Sequence, residues 1–197
     1  MNTSLLELIR STCNSQTLDG EPAYQARLVD KSNWIDGPWK AEPDLSVWIE
    51  PVSNLVCLIS RPTLGGNLCG YVMLPEDHPW YGVRADKFPT IPKVRSINFA
   101  NHFPPLSSHN ADYDETIANS KGWWIGIDGM RSGDLSPWPF ENMRELFEHD
   151  ENFRIAVDRA MGNDTHSTYK GMAFMEEQCT LIALNASETM AASLLRN

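Results

Sequence analysis

Three short β-prone runs follow one another closely in this chain, at Val47 to Glu50, Leu55 to Arg61 and Leu68 to Leu74. Gly65-Gly66-Asn67 stands between the last two as turn chemistry, so the spacing predicts a hairpin or a meander. Val94 to Ala100 reads as a further strand, and Trp123 to Ile127 (WWIGI) as a central one. Near the C-terminus, Met172, Met175, Cys179, Ile182 and Ala186 recur at the 3-4-3-4 spacing of one helical face, with Glu176, Glu177 and Gln178 off it. That stripe predicts a core-facing helix. The expected architecture is α+β, a small mostly antiparallel sheet with the C-terminal helix packed on one face. No internal repeat and no coiled-coil heptad is visible.

A length of 197 residues fits one domain. Residues 1–33 read as an N-terminal arm, with Leu5, Leu6, Leu8 and Ile9 suiting a short helix before a polar stretch of little periodicity, and residues 34–197 as a single α+β domain. WIDGPWKAEPD, from Trp34, has the Pro, Gly and Trp content of an ordered loop pinned by aromatic anchors. PEDHPWYGVRADKFPTIP carries four prolines and predicts a long surface connection, a place where function often resides. Asn101 to Gly122 reads as a solvated excursion, and Glu141 to Ala160 as helical text with an acidic face.

Charge narrows the function classes. Sixteen Lys plus Arg against 26 Asp plus Glu give a net charge of −10, which disfavours general nucleic-acid binding but not a small anion in a local basic pocket. MNTSLLELIRSTCNSQ lacks the pattern of a signal peptide, and no apolar run approaches the roughly 20 residues a membrane-spanning helix needs. A cytoplasmic location without a membrane partner is therefore expected; self-association is left open. The four cysteines form no Cys-x-x-Cys pair, so they are read as free thiols, with a Cys57–Cys69 bridge across a hairpin as the alternative. The P-loop, His-Glu-x-x-His, nucleophile-elbow and dinucleotide glycine signatures are all missing, so neither a cofactor nor a metal is expected.

Two segments remain as candidate sites. In IGIDGMRSGD, Asp128 and Asp134 bracket Arg131 just after a strand, among glycines that let the chain turn sharply. In DHPWYG, His78 is held on a loop beside Trp80 and Tyr81. Between Arg84 and Arg95 four cations, Arg84, Lys87, Lys93 and Arg95, face one acid, Asp86, a positive island on an acidic chain. Arginine suits bidentate contact with phosphate or carboxylate, and the nearby aromatics could supply a stacking face.

The strings GPWKAEPD, VWIE, VCLISR, LCGYVMLPEDHPWYG, WWIGIDGMRSGDLSP and TYKGMAFMEEQCTLIA, in that order, resemble an uncharacterised family of small phage and prophage proteins over roughly Trp34 to Ala186. In that family a His-Gly-Gly stands where this chain has Arg95-Ser96, and the histidine of Asp-Cys-Ala-His-x-Gly-Asp is here Arg131, while His78, Asp128, Gly133 and Asp134 match. Arginine neither titrates near neutrality nor coordinates metals readily, so catalysis by a histidine pair is not expected of this member; the two cations would instead hold an anion permanently.

The resulting expectation is a phage-type protein, in the host cytoplasm, that binds a small anionic ligand, with a nucleotide immune signal of the host as the ligand to be sequestered. Arg95 and Arg131 would clamp it, Trp80 or Tyr81 would form the wall, and Asn98 would join them. One alternative is a phosphodiesterase or hydrolase using His78, Asp128 and Asp134. The other is an inhibitor of a host protein acting through the acidic face of residues 141–158.

Overall fold

The computed structural model describes residues 16–18, 21–34, 36–62, 66–102, 122–131, 133–137 and 168–196, with the side chains of residues 16–24 left aside. Seven strands form one sheet: β1 (Gln16–Leu18), β2 (Glu21–Ala26), β3 (Leu45–Ile49), β4 (Val56–Ser60), β5 (Cys69–Leu74), β6 (Phe99–Asn101) and β7 (Trp123–Asp128). Their order across the sheet is β1-β2-β3-β4-β5-β7-β6, and every neighbouring pair is antiparallel. The first five strands are a simple meander, each paired with its neighbour in sequence; the six- and eight-residue connections after β3 and β4 are too short for the dozen-residue crossover that a parallel neighbour needs. The long helix α1 (Met172–Leu194) packs on β4 and β5. The α+β expectation holds.

Strand alternation sorts the core into two faces. Cys57, Ile59, Val72, Ile125 and Ile127 pack with Met175, Cys179, Ile182, Ala183 and Ala186 of α1. Leu45, Val47, Leu58, Tyr71 and Trp124 form a second buried cluster on the other face. The helix approaches closely at Gly70, where an added Cβ would lie 2.7 Å from Cys179 Sγ. Only a hydrogen fits there.

Three expectations change. The segment read as an arm contributes β1 and β2 to the sheet; its polar residues hid the strands because β2 stands between β1 and β3, where backbone pairing rather than an apolar run holds it. The strand expected at Val94 to Ala100 is confined to Phe99–Asn101, because the Arg95 amide is taken by a side chain of α1 and Lys93 adopts φ 65°. Gln178, placed off the helix's core face, is buried. The reading of the cysteines as free thiols holds among the described residues: Cys57 and Cys69 are free and belong to opposite faces of the sheet, so the alternative bridge does not form. Burial pushes the Cys69 thiol up to about 11 and raises that of Cys57 well above its ordinary value, which makes them packing residues rather than nucleophiles.

The helical text and acidic face of residues 141–160 lie outside the described residues, as does most of the excursion after Asn101. No helix among the described residues is long and apolar enough to cross a membrane.

Candidate anion site

The antiparallel register brings Asp44, Arg61, the start of β5 and Asp128 to one end of the sheet, because Leu45 pairs Ser60, Ser60 pairs Cys69 and Cys69 pairs Asp128. The helix begins at this end too, where Glu42 Oε1 accepts the Met172 amide at 3.1 Å. Two clusters of charged side chains share the location.

The first contains most of the residues proposed from sequence. Arg95 donates from Nη1 and Nη2 to the two oxygens of Asp134 at 2.6 and 3.0 Å, a fork-to-carboxylate pair that fixes its plane. Asp134 is nearly sealed, its side chain 1% exposed, whereas Arg95 keeps 21% of its surface. The carboxylate therefore sits behind and the guanidinium faces outward. Asp134 Oδ2 also accepts the Arg131 amide at 3.0 Å, closing a tight turn in which Gly133 takes φ 84°. Arg131 donates from Nη1 to Ser96 Oγ at 2.9 Å and from Nη2 to the Ser96 carbonyl, and its Nε lies 3.6 Å from Asp128. Asn98 is spent on Asp128: its Nδ2 donates to the carboxylate and its Oδ1 accepts the Asp128 amide at 3.2 Å.

Each arginine thus has N–H donors left over, since a guanidinium carries five. The aromatic neighbour is one that the sequence reading did not single out. Phe174, in the first turn of α1, has Arg95 Cζ at 5.8 Å and Lys170 Nζ at 5.2 Å from its ring centroid, both within cation–π range. Three cations, Arg95, Arg131 and Lys170, therefore stand with two carboxylates on a chain of net charge −10.

Trp80, Tyr81 and His78 lie elsewhere. Tyr81 packs against His102 and Trp123, at the start of β7, and five residue steps along that strand separate Trp123 from Asp128 by roughly 17 Å. Trp80 packs against Phe88 and His78. His78 Nε2 donates to the Ala186 carbonyl at 2.9 Å, and its Nδ1 accepts the Trp80 amide at 2.9 Å, so both ring nitrogens of this buried side chain are engaged. Burial lowers its pKa, against the pull of the Ala186 carbonyl and Asp77, and the neutral tautomer ties the Pro75 loop to α1. Gln178, which reaches the Arg95 loop, precedes Ala186 by eight helical residues, about 12 Å. His78 and the Asp128–Asp134 pair are at opposite ends of the sheet and do not form one constellation. No cluster among the described residues could hold a metal ion.

The second cluster went unremarked as chemistry in the sequence. Arg61, fully buried, donates from Nε to Asp44 at 2.8 Å, from Nη2 to Glu42 at 3.0 Å, and from Nη1 to Tyr169 Oη at 3.0 Å and to the Gly66 carbonyl. Lys31 Nζ reaches Asp44 at 2.6 Å and the Glu42 carbonyl at 2.7 Å. Burial alone would raise the Asp44 carboxyl, but hydrogen bonds from Lys31, Val29 and Leu28 outweigh it and hold the group below its ordinary range. In the sequence Glu42-Pro43-Asp44 stands inside the loop read as pinned by aromatic anchors, and nothing local marks its acids as partners of an arginine 17 or more residues on.

Comparison with known proteins returns nothing. No family model matches the chain, and no curated protein or solved structure is significantly similar to it.

Proposed function

We propose that this protein binds a small anion bearing phosphate groups at the Arg95–Arg131 cluster. The observation that carries the reading is the arrangement of Asp134: one buried carboxylate orients the Arg95 fork and also accepts the Arg131 amide, so both cations are held in place before a ligand arrives. Preorganised donors lose less entropy on binding than free side chains do. A phosphate would take the outward N–H groups of both arginines and replace the loose 3.6 Å contact of Arg131 with Asp128, which Asn98 already holds. Lys170 adds a third positive charge, and Phe174 takes the part of the apolar wall first sought at Trp80 and Tyr81.

The resemblance to small phage proteins makes a host nucleotide signal the ligand class to try first, with sequestration as the role. The test is calorimetric titration with a nucleotide panel, comparing the wild type with Arg95→Ala and Arg131→Ala. Binding that weakens at least tenfold in both variants, with the nucleotide recovered intact by chromatography, supports the reading. Failure to bind any phosphorylated ligand, or unchanged affinity in both variants, overturns it, and turnover of excess nucleotide would replace sequestration by catalysis.

A further inference from the structure

The two loops that carry the arginines are each fastened by one buried carboxamide. Gln178, 3% exposed, accepts the Arg95 amide on Oε1 at 2.8 Å and donates from Nε2 to the Lys93 carbonyl at 3.1 Å. Its side chain thereby bridges Lys93 and Arg95 across Val94, and one of the two anchored residues, Lys93, sits at φ 65°, a conformation that costs a lysine energy unless it is held. Asn67, also 3% exposed, donates from Nδ2 to the Gly129 carbonyl at 2.6 Å and to the Leu135 carbonyl at 3.1 Å. Those two carbonyls flank the loop that bears Arg131 and Asp134, so one amide group pins both of its feet. Between the two loops runs the Arg95–Asp134 pair.

We infer that Asn67 and Gln178 are the positioning residues of the anion site, setting where the two guanidinium groups point without touching the ligand themselves. The inference rests on the reading of that site as an anion site. Its chemistry is specific to a carboxamide. Gln178 is used as donor and acceptor at once, which no aliphatic, carboxylate or ammonium side chain reproduces. Asn67 uses its amide group as a double donor, one bond to each foot of the loop. Neither residue is needed to complete a strand or a helix, because each bonds backbone groups of loops.

The test uses Gln178→Met, which keeps the buried volume and removes both hydrogen bonds, Gln178→Glu, which keeps the acceptor for Arg95, and Asn67→Ala. Inorganic pyrophosphate is the probe for binding, and backbone amide exchange is the readout that needs no ligand. Gln178→Met should weaken pyrophosphate binding about tenfold or more and speed exchange at the Arg95 amide and, through Asp134, at the Arg131 amide. Exchange at Leu58 and Val72 in the central strands should stay slow, and Gln178→Glu should recover protection at Arg95. Asn67→Ala should speed exchange at Arg131 and Asp134. Wild-type exchange at these loop amides in every variant overturns the inference, as does pyrophosphate affinity unchanged by all three. Should the wild type itself not bind pyrophosphate, the anion reading fails for that ligand, while the exchange pattern still decides whether the two carboxamides position the arginines. If Gln178→Met loses protection throughout the sheet, Gln178→Glu and Asn67→Ala decide the matter by the same two measurements.

Discussion

The two arginine clusters stand at the same end of the same sheet and are built from the same residue types, yet they differ in what they can do next. Around Arg61 the guanidinium is sealed: Asp44, Glu42, Tyr169 and the Gly66 carbonyl surround it, and Trp34 covers a face with its ring centroid 5.6 Å from Cζ. Around Arg95 the Asp134 carboxylate is buried and the guanidinium is about a fifth exposed, while Arg131 and its partner Asp128 are both open to water, at 24% and 38%. In the first cluster the positive charge is the filling; in the second it reaches the face. Charge type does not separate the two clusters. How much of each guanidinium is left toward water does.

The sharpest way to break the comparison is to remove Arg61. Arg61→Met leaves the buried Asp44 and the partly buried Glu42 with a single compensating lysine, and a stability loss of about 3–5 kcal/mol is expected by urea denaturation, the usual cost of stranding one side of a buried pair. A loss below about 1 kcal/mol would mean that the cluster is wetter than its geometry says. Asp134→Asn should cost less, about 1–2 kcal/mol, because Arg95 can turn to water, while anion binding falls with it.

Acid titration separates the clusters further. The folded Asp44 carboxyl titrates below its unfolded value near 3.9, so its contribution is complete above that pH and is lost as pH falls through the folded pKa. Stability measured from pH 5 down to pH 2 should therefore drop, and Asp44→Asn should flatten the descent. A smaller step belongs to His78. Its folded pKa lies below the unfolded 6.5, so stability is complete above about pH 6.5 and declines as pH falls toward the folded value. His78→Gln should remove that step between pH 7 and 5, and persistence of the step in the variant would assign it elsewhere. The smallest expected change in stability is that of Arg131→Ala, within about 0.5 kcal/mol by thermal melting, since its contacts are at the surface. The same substitution is expected to weaken anion binding, so it separates the two clusters' roles in one protein.

Much of the fold was legible because the runs at β3, β4 and β5 and the α1 stripe follow plain periodicities: alternation with turn glycines for the strands, 3-4 spacing for the helix. What escaped was held by side-chain to backbone bonds, which leave no period. The early expected start of β6, the burial of Gln178 and the fastening by Asn67 are one kind of miss: an amide whose partner is 62 to 85 residues away looks like an ordinary polar position. Asp128, Arg131 and Asp134 were singled out because charge and glycine converge locally around them, and Arg95 because it closes a basic run; the structure brings the four together with Asn98. Phe174 was passed over because helical spacing marks which residues face the core and says nothing of which ring meets a distant arginine. Trp80 and Tyr81 were proposed from closeness in sequence to the basic island, but β5 and β7 carry them to the far end of the sheet. There the chain leaves an apolar cavity of about 470 Å³ between the β3–β4 turn and the last turns of α1.

The bond from the Met172 amide to Glu42 spans 130 residues, and that from Arg95 to Gln178 spans 83. During synthesis, therefore, the meander of β2 to β5 can pair early from neighbouring segments and Asn67 can fasten the Arg131 loop once Leu135 has emerged, whereas the Arg95 turn lacks Gln178 until α1 has emerged and docked. The Arg95 turn is among the last parts of the molecule to come into being, and a nascent chain would carry a sheet long before that turn is fastened.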